Sequence, residues 1–299
     1  MSQLTEKRHK PVHLEPLLFN TFNIIFLLLL CVVMLYPILN TLALSFNEGY
    51  DAVKGGIRLW PRVFSAKAYS DVLSRDAIYI GAFISATKTI VAVVTNLFFT
   101  MMLAYSLSRR EYILSRPITL FFVITMYFNA GLIPNFLLIK DLGLIPSFTV
   151  YWIPHVISAF NPIVMRTYIR SIPESLVESS RIDGAGEFRI LFRIVFPLCL
   201  PTLATIALFV AVGSWNTWFD TMLYNTSNPS LTTLQYELKR MLDTAFTGDP
   251  TQINTGEGQV VPLTIRAAAT VVTAIPILIV YPFLQRYFVT GLTVGSVKE

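Results

Sequence analysis

The sequence predicts an all-α polytopic membrane protein with six transmembrane helices. Of its 299 residues, 54% are hydrophobic and only 14% are charged, and the mean hydropathy is +0.60. A soluble domain carries about 25% charged residues, so this chain lacks the charge to cover a water-soluble particle. Six stretches are long enough for a bilayer-spanning helix, which needs about 20 apolar residues. The composition therefore excludes a cytosolic enzyme, a disordered chain and a secreted disulfide scaffold.

The predicted spans follow one another along most of the chain. They cover residues 19–46, 77–107, 117–139, 147–165, 194–223 and 263–284. The third and fifth spans are predicted to be broken, and in the third the break lies where Asn129, Gly131 and Pro134 interrupt the apolar run. Irregular backbone at membrane depth is tolerated only where protein or a water-filled cavity receives it. The alternative for the third span is a simple turn at its outer end.

Basic residues predict the topology. With both termini in the cytoplasm, the inner segments hold 13 Lys and Arg in 69 residues, and the outer segments hold 8 in 76. This bias is inward, as the positive-inside rule requires. The first apolar run is also too long for the core of a cleaved signal peptide. The predicted organisation is a cytoplasmic segment 1–18, a first helix with an extracytoplasmic cap 19–76, a core domain 77–285 and a cytoplasmic tail 286–299.

The inner loop between the fourth and fifth spans has a distinct pattern. Pro173 suits a first helical position, Glu174 a first turn, and Gly184 a helix stop with positive φ. These residues predict a short helix over 173–183, a turn, and a second helix that starts near Glu187 and runs into span five. Small and apolar side chains on the short helix would let another protein approach closely. The alternative is an amphipathic connector on the lipid surface.

Twenty positions of this loop also match a known pattern, EAA-x3-G-x9-I-x-L-P. The matching residues are Glu178, Ser179, Ser180, Gly184 and the run Ile194-Val195-Phe196-Pro197. Ser replaces both alanines and Phe196 replaces the leucine, while the spacing is complete. Asp183 lies at a free position of this pattern, and the triplet Asp183-Gly184-Ala185 is a further point of resemblance. The loop resembles that of permease subunits of bacterial ABC importers.

Other segments narrow the resemblance. The run Trp215-Asn216-Thr217-Trp218-Phe219 and the C-terminal run from Tyr281 to Lys298 resemble the small-subunit branch of maltose-type carbohydrate permeases. The pairs Gly55-Gly56 and Trp60-Pro61 and the run Gly131-Leu132-Ile133-Pro134 look like the branch that imports oligosaccharides of plant or algal polysaccharides.

The resemblance implies a type I ABC importer permease in the bacterial cytoplasmic membrane. A second permease subunit would complete the pore, two cytoplasmic ATP-binding subunits would sit below it, and an extracytoplasmic sugar-binding protein would deliver the oligosaccharide. Residues Glu178, Ser179, Ser180, Asp183 and Gly184 would dock in a cleft of an ATP-binding subunit. By position, residues 288–299 would reach into the ATPase dimer.

The sequence lacks the chemistry of an ATPase. It has no phosphate-binding loop of the form G-x4-G-K-[ST]. We therefore expect no enzymatic activity and no cofactor in this chain, with ATP and Mg bound by the partner subunits. An intramembrane hydrolase built on Ser214 and His155 is disfavoured by their sequence setting. The net charge of +5 reports topology, so no nucleic-acid partner is expected.

Four residues of span five are candidates for a sugar path. They are Trp215, Asn216, Trp218 and Asp220. Asn216 and Asp220 are four residues apart and would share one helix face. Aromatic rings there could stack on pyranoses while Asn216 bonds hydroxyls. The alternative is an aromatic belt at the membrane interface.

Two ionisable residues lie inside predicted spans. Lys88 lies near the midplane of span two; it would attract an acidic, uronate-containing sugar, or else snorkel or form an internal ion pair. His155 in span four is either functional or a neutral side chain bonded to a neighbouring helix.

The predicted function is import of an oligosaccharide by alternating access, driven by ATP hydrolysis on the partners. The competing class is a stand-alone secondary transporter, whose coupling ion would bind buried acids or broken helices near the midplane. No Asp or Glu lies at the centre of a predicted span, which argues against that class.

Overall fold

A computed structural model describes residues 14–247 and 261–294. Within these ranges the regular structure is helical, with one isolated bridge between Asn47 and Phe64. The helices are α1 (Leu14–Ser45), α2 (Gly49–Val53), α3 (Lys67–Leu73), α4 (Asp76–Ser108), α5 (Ser115–Tyr127), α6 (Leu132–Asp141), α7 (Phe160–Ile169), α8 (Glu174–Ile182), α9 (Glu187–Ile190), α10 (Phe196–Leu198), α11 (Leu200–Asn216), α12 (Phe219–Tyr224), α13 (Leu234–Thr247) and α14 (Pro262–Val294). The all-α prediction is confirmed.

Each predicted span corresponds to one long helix or one bent pair. Helices α1, α4 and α14 contain stretches that are long and apolar enough to cross a membrane. Three pairs pass the same test together: α5 with α6, the 3-10 turns over Phe148–His155 with α7, and Glu187–Leu198 with α11. Counting each pair as one span gives six in the part of the chain that the structure describes.

The bends agree with the sequence in two spans and correct it in one. The third span bends by 120° before Gly131, whose φ is +91°, and the fifth bends by 80° at Cys199. The fourth span was predicted to be plain, which is wrong: it bends by 48° between His155 and Phe160. Pro154, which has no N–H to donate, lies just before this bend.

Among the described residues, 14–68 and 261–268 form one compact unit. In its predicted extracytoplasmic cap, the Asn47 side-chain oxygen accepts hydrogen bonds from the backbone N–H groups of Arg62 (2.8 Å) and Val63 (3.2 Å). The Asn47 amide also donates to Asp51 at 3.0 Å, and Arg62 pairs with the same carboxylate at 3.0 Å. These bonds lower the pKa of Asp51 below its ordinary value, with Asn47 as the largest cause. The cap segment is therefore folded.

The described residues 69–247 and 269–294 form the second unit. Its centre is α4, which packs against α11, α7 and α13. The apolar core at one end of this unit joins α4 and α7 to the loop helices through Met101, Met165, Val177 and Ile190. Contacts with α13 are close, since a Cβ on Gly81 would lie 3.0 Å from the backbone nitrogen of Leu234. This unit carries both candidate sites.

Coupling loop and central cavity

The short helix of the inner loop forms where the sequence predicts it. Helix α8 covers Glu174–Ile182, and Gly184 follows with φ +78°. Val177 is buried in the apolar core and anchors the helix, whereas Leu176 and Ile182 are exposed. The second helix begins at Glu187, also as predicted, and continues through a π-helical turn at Leu191–Val195. We call residues 173–197 the coupling loop, after the role that its sequence resemblance implies.

The motif residues of the coupling loop face outward. Glu178, Ser179, Asp183 and Gly184 are exposed, and Ser180 is half-buried with its hydroxyl bonded to the carbonyl of Leu176 at 2.7 Å. Among the described residues, the carboxylates of Glu178 and Asp183 have no hydrogen-bond or ion-pair partner. Their positions leave both carboxylates available to another protein.

A second polar site lies between α4, α7 and the ends of α11 and α12. It is a cavity of about 360 Å³. Its lining comprises Lys88, Ala92, Asn96, Tyr151, His155, Ser158, Asn161, Phe209, Val210, Gly213, Ser214, Thr217 and Asp220. We call it the central cavity.

Lys88 is a structural element of the cavity wall. Its side chain is only 1% exposed, and its ammonium donates to the backbone carbonyl of Thr217 at 2.9 Å. Thr217 is the first residue beyond α11, and carbonyls at a helix end lack intrahelical partners. The ammonium also lies 5.2 Å from the ring centroid of Tyr151 and interacts electrostatically with Asp220. Burial rules out the predicted snorkelling.

Asn96 ties the bend of span four to α4. Its amide donates to the backbone carbonyl of His155 at 3.1 Å. Its oxygen accepts from Asn161 at 3.0 Å and from the hydroxyl of Thr100 at 3.3 Å. The imidazole of His155 lies 3.6 Å from the Asp220 carboxylate and is 62% exposed. His155 therefore presents a polar ring to the cavity, while its backbone is fixed by Asn96.

The predicted shared face of Asn216 and Asp220 is wrong. Helix α11 ends at Asn216, and Thr217 has an extended backbone with φ −73° and ψ 116°. The spacing of four residues therefore does not correspond to one helix turn. Of the two residues, only Asp220 lines the central cavity; Asn216 instead faces Gln235, with 3.4 Å between the side-chain amides.

The two tryptophans also lie outside the cavity lining. Trp215 is buried, and its indole N–H donates to the carbonyl of Thr273 at 3.2 Å. Trp218 has the ammonium of Lys239 above its ring, 5.6 Å from the centroid. Trp215 therefore packs in the interior rather than facing a path, and among the predicted path residues the cavity brings together Lys88 and Asp220.

Sequence reasoning missed several cavity residues. Asn96, Tyr151, Ser158 and Asn161 lie inside apolar stretches and belong to no motif. One signal was present, since Lys88, Ala92 and Asn96 recur every four residues and so share a face of α4. Tyr151, Ser158 and Asn161 lie before, within and after the bend in span four, which was not predicted even though Pro154 lies beside it.

Comparison with known proteins places the chain among transport proteins. Residues 77–294 match the family described as binding-protein-dependent transport system inner membrane component. The chain is 37% identical over 284 residues to the polygalacturonan/rhamnogalacturonan transport system permease protein YtcP of Bacillus subtilis, covering 94% of this chain and 98% of that protein. It is 35% identical to the protein LplC of the same organism, with coverage of 94% and 95%.

A solved structure is similar over nearly the whole chain. It is a chain of a bacterial ABC transporter involved in the import of the acidic polysaccharide alginate. The sequences are 31% identical, the TM-score is 0.83, and the match covers 94% of this chain and 100% of that one.

Proposed function

The chain belongs to the family of binding-protein-dependent transport system inner membrane components, and from this we propose that it forms half of the pore of an ATP-driven oligosaccharide importer. Family membership confirms the resemblance first carried by the loop motif. The observation that carries the proposal is the exposed helix α8, which is anchored to the core by Val177. Glu178 in this helix and Asp183 just after it have no partner among the described residues. A helix of this kind supports docking to another protein more than a lipid-surface role.

The proposed mechanism is alternating access. Two ATP-binding subunits close on ATP and move α8, which is seated in a cleft of one of them. The pore then opens outward and receives sugar from the binding protein, and hydrolysis resets it. ATP and Mg stay on the partners, because this chain has no phosphate-binding loop. Sugar and ATP are thereby coupled as two ligands that favour different states of one protein.

The proposed substrate class is oligosaccharides that contain uronic acids. Two similar proteins have names or titles that refer to polygalacturonan/rhamnogalacturonan and to alginate. In the central cavity, His155 and the side chains of Ser158 and Asn161 offer groups suited to sugar hydroxyls. Lys88 adds positive potential, but its side chain is only 1% exposed and its ammonium donates to the Thr217 carbonyl, so we do not propose a direct ion pair with the sugar.

The proposed assembly contains a second permease subunit, two ATP-binding subunits and an extracytoplasmic binding protein. Both termini are proposed to lie in the cytoplasm, following the bias of Lys and Arg. The proposed cytoplasmic tail 286–299 starts within α14, which runs to Val294, and residues 295–299 lie outside the described residues. Of the N-terminal segment 1–18, residues 1–13 also lie outside them.

Reconstitution into lipid vesicles tests the proposal. The chain is combined with a second permease subunit, ATP-binding subunits and a sugar-binding protein from the same organism. Uptake of a labelled oligogalacturonate is then measured with and without ATP, and an arabino-oligosaccharide serves as the neutral comparison.

We expect uptake that requires ATP and favours the acidic sugar. The chain alone should show neither ATP turnover nor transport. Uptake by the chain alone, driven by a proton or sodium gradient, would replace the proposal with a secondary transporter. Equal uptake of both sugars would remove the acidic preference while leaving the importer intact.

A further inference from the structure

The side chains around Arg181 connect four segments, which are α8, α9, α4 and the loop after α4. Arg181 of α8 pairs with Glu111 of the loop after α4 at 3.0 Å and with Glu187 of α9 at 2.9 Å. The second oxygen of Glu187 accepts a hydrogen bond from the hydroxyl of Tyr105 on α4. The guanidinium of Arg109 lies 4.1 Å from the ring centroid of Tyr105. Helix α8 is therefore linked to α4 through side chains as well as through the apolar core.

The Arg181 cluster is held electrostatically at the rim of the core. The side chain of Arg181 is 34% exposed. Its two carboxylate partners raise the pKa of the guanidinium above its ordinary value, and Glu111 is the larger cause. The guanidinium therefore stays charged throughout the physiological range. Both carboxylates are more than half exposed, and ion pairs in water contribute little to folding. The cluster is suited to fixing a position rather than to stabilising the fold.

Helix α4 connects this cluster to the central cavity. Its 33 residues contain no proline, whereas α1 and α14 contain prolines within their length. Tyr105 lies nine residues beyond Asn96 on the same helix, which corresponds to about 14 Å along the axis. A displacement of α8 that moves Tyr105 therefore reaches Asn96 and Lys88 through a continuous helix.

We propose that Arg181 is a positioning residue that transmits movement of α8 to α4 and so to the wall of the central cavity. This inference rests on the proposed function, in which α8 is the dock for the ATP-binding subunit. In this proposal, Arg181 connects α8 to the pore, whereas the exposed motif residues Glu178 and Asp183 belong to the surface that binds the ATP-binding subunit.

The chain offers a matched control. Arg110 pairs with Glu174 at 3.8 Å and so also connects the loop after α4 to α8. This pair is open to solvent, with side-chain exposures of 86% and 51%, and includes no residue of α4. If any ion pair across this gap sufficed, Arg110→Gln and Arg181→Gln would act alike.

The test uses the reconstituted importer and the variants Arg181→Gln, Arg181→Lys and Arg110→Gln. Two quantities are measured: capture of the ATP-binding subunit, and sugar transported per ATP hydrolysed. We expect Arg181→Gln to retain capture but to lower the sugar-to-ATP ratio by about fivefold or more, the lower end of ordinary coupling strengths. Arg181→Lys keeps the charge without the forked geometry and should fall between this variant and the wild type. Arg110→Gln should match the wild type.

An unchanged ratio in Arg181→Gln, or an equal fall in Arg110→Gln, overturns the inference. Loss of capture in Arg181→Gln also overturns it, because Arg181 would then belong to the dock. If Arg181→Gln is not recovered from the membrane, Tyr105→Phe is used instead, because this variant keeps the ring and removes only the hydrogen bond to Glu187. Tyr105→Phe must then also lower the amount of sugar transported per ATP hydrolysed. Failure of the wild-type chain to capture an ATP-binding subunit would instead contradict the proposed function.

Discussion

The central cavity and the coupling loop differ in the burial and hydrogen bonding of their polar side chains. In the cavity, Lys88 and Asn96 are 1% and 2% exposed and bond to backbone carbonyls at helix breaks. In the coupling loop, Glu178 and Asp183 are exposed and have no partner among the described residues. Because an unsatisfied polar group is costly only when buried, the polar side chains of the cavity are structural, whereas those of the loop stay available for binding.

This difference separates the expected effects of mutation. Changes to buried cavity residues should first lower the stability of the subunit. Changes to exposed loop residues should leave the spans intact and alter association with a partner. A stability loss from a loop variant, or an association loss from a cavity variant, would contradict this distinction.

The largest effect is expected from Lys88→Met. The variant leaves the Thr217 carbonyl and the Asp220 carboxylate without the ammonium, and a hydrogen bond to a charged group contributes about 1.5–3 kcal/mol. The midpoint of thermal unfolding in detergent should fall by roughly 5 °C or more. Lys140→Met is the control, because Lys140 is exposed at the end of α6. Equal midpoints for the two variants would show that the buried ammonium is not structural.

Hydropathy and local motifs predicted much of this molecule. Apolar length predicted the six spans, and Gly184 marked the end of α8, because both signals lie in one contiguous stretch. The central cavity could not be predicted in the same way. Its lining is assembled from distant segments, and the helix break at Thr217, which separates Asn216 from Asp220, has neither proline nor glycine at the site of the break.

A smaller effect is expected for side chains that face the cavity without supporting its wall. His155→Ala removes an exposed imidazole and should raise the sugar concentration needed for half-maximal uptake by about threefold to tenfold, as the loss of one hydrogen bond would. Asn216→Leu should have little effect on uptake, because its side chain faces Gln235. Normal uptake in His155→Ala together with impaired uptake in Asn216→Leu would move the sugar path out of the central cavity.

A change of similar size in free energy is expected in the coupling loop. At Gly184, with φ +78°, a β-branched residue is strained by about 1–2 kcal/mol, although a Cβ there would meet no atom within 4 Å. Gly186 has equal space but an ordinary φ of −71°, so Gly186→Val adds the same bulk without the strain. The pair of variants separates backbone conformation from side-chain size within one loop.

Capture of the ATP-binding subunit by Gly184→Val tests the central claim most directly. The variant and the Gly186→Val control are purified with the importer, and the ATP-binding subunit retained is measured alongside sugar-stimulated ATP turnover. We predict that Gly184→Val inserts normally in the membrane but loses capture or stimulation, as Glu178→Lys should, while Gly186→Val retains both. Wild-type capture and wild-type stimulation in Gly184→Val would contradict the claim that this loop couples the ATP-binding subunits to the pore.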